Sequence, residues 1–150
     1  MRSFASLAEL EPLVGQEIAV GDWTLVTQER IQLFAEATGD HQWIHLDGER
    51  AKAGPFGATI AHGFLTLSLL PELSASAYEI RDTRMGVNYG LNRVRFPAPV
   101  PSGSRLRGRF KLLRIEPLEG GAQITVEVRI EREGSDKPVC VAESVARRYT

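Results

Sequence analysis

Cysteine occurs once in the 150 residues, so no disulfide can form within the chain. Cys140 sits in Pro138-Val139-Cys140-Val141-Ala142, the setting of a small core residue in a reducing compartment, and a cytoplasmic location is expected. No apolar run approaches the roughly 20 residues that a membrane-spanning helix needs. The most apolar stretch, Phe64 to Pro71, already includes Thr66 and Ser68, and Glu9 and Glu11 interrupt the start before an export signal can develop. A soluble protein without a membrane partner is expected. An excess of one charge is also missing. Eighteen Lys and Arg stand against 19 Asp and Glu, a net charge of -1, which removes the global field that would draw the chain onto nucleic acid or anionic lipid. With no internal repeat, charge block or Gly/Ser/Pro-rich linker, residues 1–150 read as a single domain. What is present is ordinary globular composition, 43% hydrophobic and 25% charged, in a chain long enough to bury on the order of 70% of its unfolded surface.

The first half reads as helices. Thr27 is a plausible N-cap for Gln28 to Thr38, in which Ile31, Phe34, Ala35 and Thr38 form one stripe and Gly39 supplies the stop. Asp47 caps a shorter helix over Gly48 to Ala53, before Gly54-Pro55. A third helix starts near Gly63 and runs toward Tyr78. It is apolar nearly all round, which predicts a central helix enclosed by protein, kinked at Pro71 because that ring crowds the carbonyl of Leu67.

After residue 84 the period changes to two. Arg105 to Leu112 alternates cationic and apolar residues, and Ile124, Val126, Val128 and Ile130 alternate with Thr125, Glu127, Arg129 and Glu131. Pro117 to Gly121 supplies the turn of this antiparallel hairpin. Met85 to Phe96, Val139 to Tyr149 and a short strand near Glu17 to Val26 bring the count to about five. An apolar helix followed by long antiparallel strands buries both faces if the sheet curls around the helix, an α+β arrangement. The cationic row Arg105, Arg107, Arg109 and Lys111 reads as a cross-strand lattice neutralised by Glu127 and Glu131, rather than a nucleic-acid face.

Chemistry concentrates in Gly39-Asp40-His41-Gln42-Trp43-Ile44-His45. Asp40 and His45 lie five residues apart in a stretch that can fold back behind Gly39, so a carboxylate and an imidazole can share one water molecule, which suits its addition or removal. By spacing alone, Asp40 could equally cap a turn and His45 be a satisfied half-buried side chain. Gly63 opens the central helix, where an amide without an internal acceptor can hold a developing oxyanion. It could equally serve tight packing. Asn88, Gly90 and Asn92 share one face of a strand expected to be well covered, making Asn88 and its neighbour Tyr89 candidates for lining a substrate passage, or for interface hydrogen bonding. A metal site drawn from Asp40, His41, His45 and His62 is not favoured, because Gly39 ends the helix before an i, i+4 histidine pair could form on it. Cys140, Ser68 and Ser74 lack the partners of a nucleophile.

Gly39-Asp40 followed by His45, His62-Gly63 opening an apolar helix, and Val94-Arg95-Phe96-Pro97-Ala98-Pro99-Val100 followed by Gly103 together resemble the MaoC-like dehydratases of the hot-dog fold. The likeness extends to their (R)-specific enoyl-CoA hydratases, and the NodN-like subgroup is the nearest. This resemblance implies an antiparallel sheet wrapped around a long helix, a homodimer with adjoining sheets, no cofactor, and an acyl-thioester substrate carried by coenzyme A or acyl carrier protein. It assigns Asp40 and His45 to the hydratase dyad and Gly63 to the amide that holds the thioester oxygen. Gln42 and Trp43 stand where the common family form Gly-Asp-x-Asn-Pro-x-His has Asn and Pro. The alternatives are a hot-dog thioesterase and a non-catalytic acyl-thioester-binding protein.

Overall fold

The computed structural model describes residues 1–150. Helix α1 (Gln28–Thr38) forms as expected: the Thr27 hydroxyl accepts from the Arg30 amide at 3.1 Å, and Gly39 ends the helix at φ +83°, a left-handed conformation that favours glycine. A one-turn helix that the periodicity did not signal, α2 (Trp43–Leu46), follows. The Asp47 carboxylate then caps α3 (Gly48–Lys52) by accepting from the Arg50 amide at 3.0 Å.

The central helix is two pieces, α4 (Gly63–Ser68) and α5 (Leu70–Ala77), interrupted at Leu69. Pro71 has no N–H to give Leu67, so the break falls just ahead of it. Leu65, Leu69, Leu73 and Ala77 are four residues apart and all buried, so one apolar stripe runs unbroken across the interruption. Phe110, Leu112, Ile124, Val126 and Val128 belong to the same core. Enclosure on every side is not found: Phe64 is 70% exposed on the opposite face of α4.

The main sheet is antiparallel. Its long strands are β5 (Met85–Arg95), β6 (Ser104–Leu118), β7 (Gly121–Arg132) and β8 (Cys140–Tyr149). The single N-terminal strand expected over Glu17 to Val26 is split into β2 (Glu17–Val20) and β3 (Thr24–Val26), both paired with β6. The split occurs at Gly21, which presses on α5 so closely that a Cβ would stand 2.6 Å from Ser76 Oγ. Two three-residue strands, β1 (Arg2–Phe4) and β4 (Tyr78–Ile80), pair in parallel across the chain's first half. The β6–β7 turn is tighter than predicted: Pro117 is already paired with Ala122, leaving Glu119 and Gly120 at the bend.

The order β2-β6-β7-β8-β5 makes β5 an edge. It is exposed through Arg93 rather than well covered, and bulges between Asn88 and Gly90 and between Leu91 and Arg93 switch its faces. Asn88, Gly90 and Asn92 therefore do not form one face. Asn88 lines the helix side with Ser144 and Ala146, whereas Asn92 lines the other side with Gln123 and Thr125. The cationic row of β6 is neutralised by Glu133 for Arg105, Glu131 for Arg107, and Glu17 with Glu131 for Arg109. Glu127 stands opposite Lys111 in the register.

Candidate active site

Leaving α1 at Gly39, the chain makes a tight turn in which Asp40 Oδ1 accepts from the Gln42 amide at 3.3 Å. Gln42 holds φ -57° and ψ 139°, and Trp43 becomes the first residue of α2. That is the helical position proline suits best, and here the turn is held without a proline by the Gln42 amide donating to Asp40 Oδ1. Trp43 packs away from the dyad, with the Arg50 guanidinium 4.2 Å over its ring and Gly54 against its edge.

Two residues on, α2 presents His45, only 6% exposed. Its Nδ1 lies 2.7 Å from the Ile60 carbonyl oxygen. A carbonyl only accepts, so Nδ1 bears a proton, and in the neutral ring Nε2 is the acceptor. Nε2 lies 3.9 Å from Asp40 Oδ2. Two acceptors at that separation cannot bond each other, but both can reach one water at about 2.8 Å. Asp40 is 53% exposed while His45 is buried, so the pair straddles the boundary between solvent and protein.

Supports that carried no local sequence signal hold this pair. Gln28 donates from Nε2 to the His45 carbonyl at 2.8 Å and accepts from the Thr59 hydroxyl at 2.7 Å. The Ile60 amide donates to the Ile44 carbonyl at 3.0 Å, and the Ala61 amide to the Val100 carbonyl at 2.8 Å. The Phe96-to-Val100 motif thus fixes the strap that supplies the acceptor of His45.

Gly63 is the first residue of α4, so its amide has no acceptor within the helix. Tight packing at this glycine is present, since a Cβ here would lie 3.1 Å from the Phe96 ring. At six residues α4 offers local N–H groups more than a long-helix dipole. A pocket of about 270 Å³ adjoins Gly63, walled by Phe56, Ile60, Ala61, Thr66 and Phe96. His62, directly before it, donates from Nε2 to the Asp40 backbone carbonyl at 3.0 Å and stacks on His45 with centroids 3.8 Å apart. Asp40 and His45 are brought together, and His62 links the pair to the helix mouth at Gly63, whose pocket neither of them lines.

Asn88 and Tyr89 are not brought to that pocket. Asn88 lines a larger cavity of about 520 Å³ between α5 and the sheet, and Tyr89 lies under the Arg147 guanidinium at 3.6 Å on the exposed edge. At one end of the cavity burial pushes the Tyr78 hydroxyl upward from its ordinary pKa, and the Arg148 guanidinium partly offsets this.

Asp40, His45 and His62 each have a ligating atom within 4.8 Å of the others, while His41 is exposed and outside the cluster. A metal requires in-plane lone pairs converging at about 2.0–2.1 Å. The two rings are stacked only 23° from parallel, so their lone pairs run side by side instead of meeting. The donor set does not fit a metal.

A broken apolar helix packed on an antiparallel sheet of long strands is the hot-dog fold. The family model of the MaoC like domain matches residues 9–135. The 3-hydroxyacyl-thioester dehydratase Z of Mycobacterium tuberculosis is 55% identical over 148 residues, 98% of either chain. Nodulation protein N of Rhizobium leguminosarum bv. viciae is 49% identical over 141 residues, covering 91% of this chain and 87% of that one. Among solved structures, the unliganded R-hydratase PhaJ1 from Pseudomonas aeruginosa matches with a TM-score of 0.77 and 25% identity, covering 97% of this chain and 86% of that one. The chain belongs to the MaoC-like dehydratase family. No helix is long and apolar enough to cross a membrane.

Proposed function

We propose that this chain, a hydro-lyase of the MaoC-like family, reversibly hydrates trans-2-enoyl thioesters to (3R)-hydroxyacyl thioesters, with coenzyme A or acyl carrier protein as the carrier. The observation that carries the reading is the 3.9 Å gap between two acceptors, Asp40 Oδ2 and His45 Nε2. A water filling it donates one hydrogen to each, which leaves its oxygen lone pairs free to attack C3. As the C3–O bond forms, the pair takes one proton from the water and returns one to C2. The charge that builds on the thioester oxygen meets the Gly63 amide, and each such donor contributes on the order of 3 kcal/mol. Dehydration is the same path reversed. The R outcome is drawn from the family likeness.

A second copy of the chain completes the unit. Edge strand β5 is 11 residues long, and Met85, Val87, Tyr89 and Leu91 expose apolar side chains along it. An edge of that length invites pairing. Phe64 and Phe96, in edge-to-face contact with centroids 6.3 Å apart, add further uncovered apolar surface beside the Gly63 pocket.

The test follows the conjugated thioester absorbance of a crotonyl or longer enoyl substrate on both carriers, with a free-thiol assay in parallel. Hydration bleaches the band without releasing thiol. Thiol release would make the protein a thioesterase, and a silent assay with retained binding would make it an acyl-thioester-binding protein.

A further inference from the structure

We propose that His62 is a positioning residue of this site, acting on Asp40 and His45 rather than on substrate. Its side chain is 3% exposed and lies between two rings, His45 at 3.8 Å and Phe34 at 4.9 Å. Nε2 faces the Asp40 carbonyl at 3.0 Å, and because a carbonyl only accepts, Nε2 bears the proton. Nδ1 is bare in the neutral ring, and it is buried without a partner. One ring nitrogen is spent on backbone and the other is sealed from solvent, so neither serves a substrate.

Those contacts tie together the three parts that the chemistry must align. The hydrogen bond holds the backbone of the residue bearing the acid. Stacking restrains the ring of His45. The next residue in the chain is Gly63, whose amide opens α4. His62 thereby sets the Asp40–His45 gap and its offset from the helix mouth. A displacement of about 1 Å in such a site can cost on the order of 100-fold in rate.

A specific signature follows. His45 donates from Nδ1 to Ile60, and His62 donates from Nε2 to Asp40, so the stacked imidazoles hold opposite tautomers. Reversing His62 would set two lone pairs against each other across 3.0 Å. The kinetic consequence of this arrangement rests on the hydration reading; the spectroscopic one does not.

The experiment has two arms. Long-range ¹⁵N–¹H correlation on the wild-type protein, labelled at histidine, should show His62 protonated on Nε2 and His45 on Nδ1. A His62 ring protonated on Nδ1 alone would overturn the assignment, whatever the variants do. In the second arm, His62→Gln keeps an N–H at the reach of Nε2, and His62→Phe keeps an aromatic ring without that donor. His62→Phe should lower kcat by about 100-fold with KM changed less than about 3-fold, while His62→Gln stays within about 10-fold of wild type. Equal kcat losses in two folded variants, or a loss confined to KM, would contradict the role. If His62→Phe does not fold, a His62→Gln loss beyond about 100-fold in a folded protein would still overturn it. A wild-type protein inactive on every enoyl thioester would sink the hydration reading alone, and the tautomers would still decide whether His62 holds Asp40.

Discussion

Phe96 lies across Gly63, so that a Cβ at position 63 would meet the ring at 3.1 Å. Phe96 is 40% exposed and can swing aside, and alanine is tolerated at a helix start. Gly63→Ala is therefore expected to leave thermal stability within about 1 kcal/mol of wild type. The added methyl and displaced ring fall on the approach to the amide, so enoyl-thioester turnover should drop by at least about tenfold. Thermal melts beside steady-state kinetics check this, and unchanged turnover would mean that substrate does not approach across Gly63.

The exposed edge of β5 leads to a test of assembly. The wild-type protein should sediment at twice the chain mass of 16.6 kDa. Leu91→Lys puts a charge on that edge and should shift sedimentation toward the single chain, since lysine blunts strand pairing. Wild-type sedimentation at the single mass would discard the proposed pairing.

Cys140 is fully buried, and burial pushes its thiol up to about 11. The folded state keeps the proton longer than the unfolded chain, so the sign is a loss of stability as pH rises from about 9 toward 11. The loss attributable to this thiol is on the order of 2–3 kcal/mol at the upper end. Comparing denaturant unfolding of wild type and Cys140→Ala across that range isolates it. The two pH slopes should differ in that direction, and parallel slopes would contradict the burial argument.

Leu73 is 0% exposed at the centre of the α4–α5 stripe, beside the close contact with Gly21. Leu73→Ala should cost about 2–5 kcal/mol, since strands on several sides hold the cavity open. Urea unfolding measures it. A cost under about 1 kcal/mol would mean that the helix does not pack as described.

Much of the fold is legible where local physics decides. The period-two pattern of Arg105 to Leu112 marks a strand because one face meets the core and the other an ionic lattice. Thr27, Gly39 and Asp47 mark helix ends because their capping partners lie within four residues. Breaks set by distant contacts are not legible: β2 and β3 part at Gly21 because of Ser76, 55 positions on, and the exposure of β5 depends on its place in the sheet order. The same division runs through the site. Asp40 and His45 are five residues apart, on either side of one tight turn, so spacing makes their approach possible. The Ile60 carbonyl that sets the His45 tautomer, and the His62 ring stacked on it, arrive from 15 and 17 residues away along a strap whose course depends on Val100.

If Asp40 and His45 act on one water, removing either should forfeit nearly all that the pair contributes. The direct measurement is a double-mutant cycle on kcat for enoyl-thioester hydration with Asp40→Asn, His45→Gln and both together, each variant shown to be folded. Shared action predicts a loss of about 100-fold or more in each single variant and little further loss in the double. Losses that multiply in the double variant, or near-normal turnover in either single one, would contradict it.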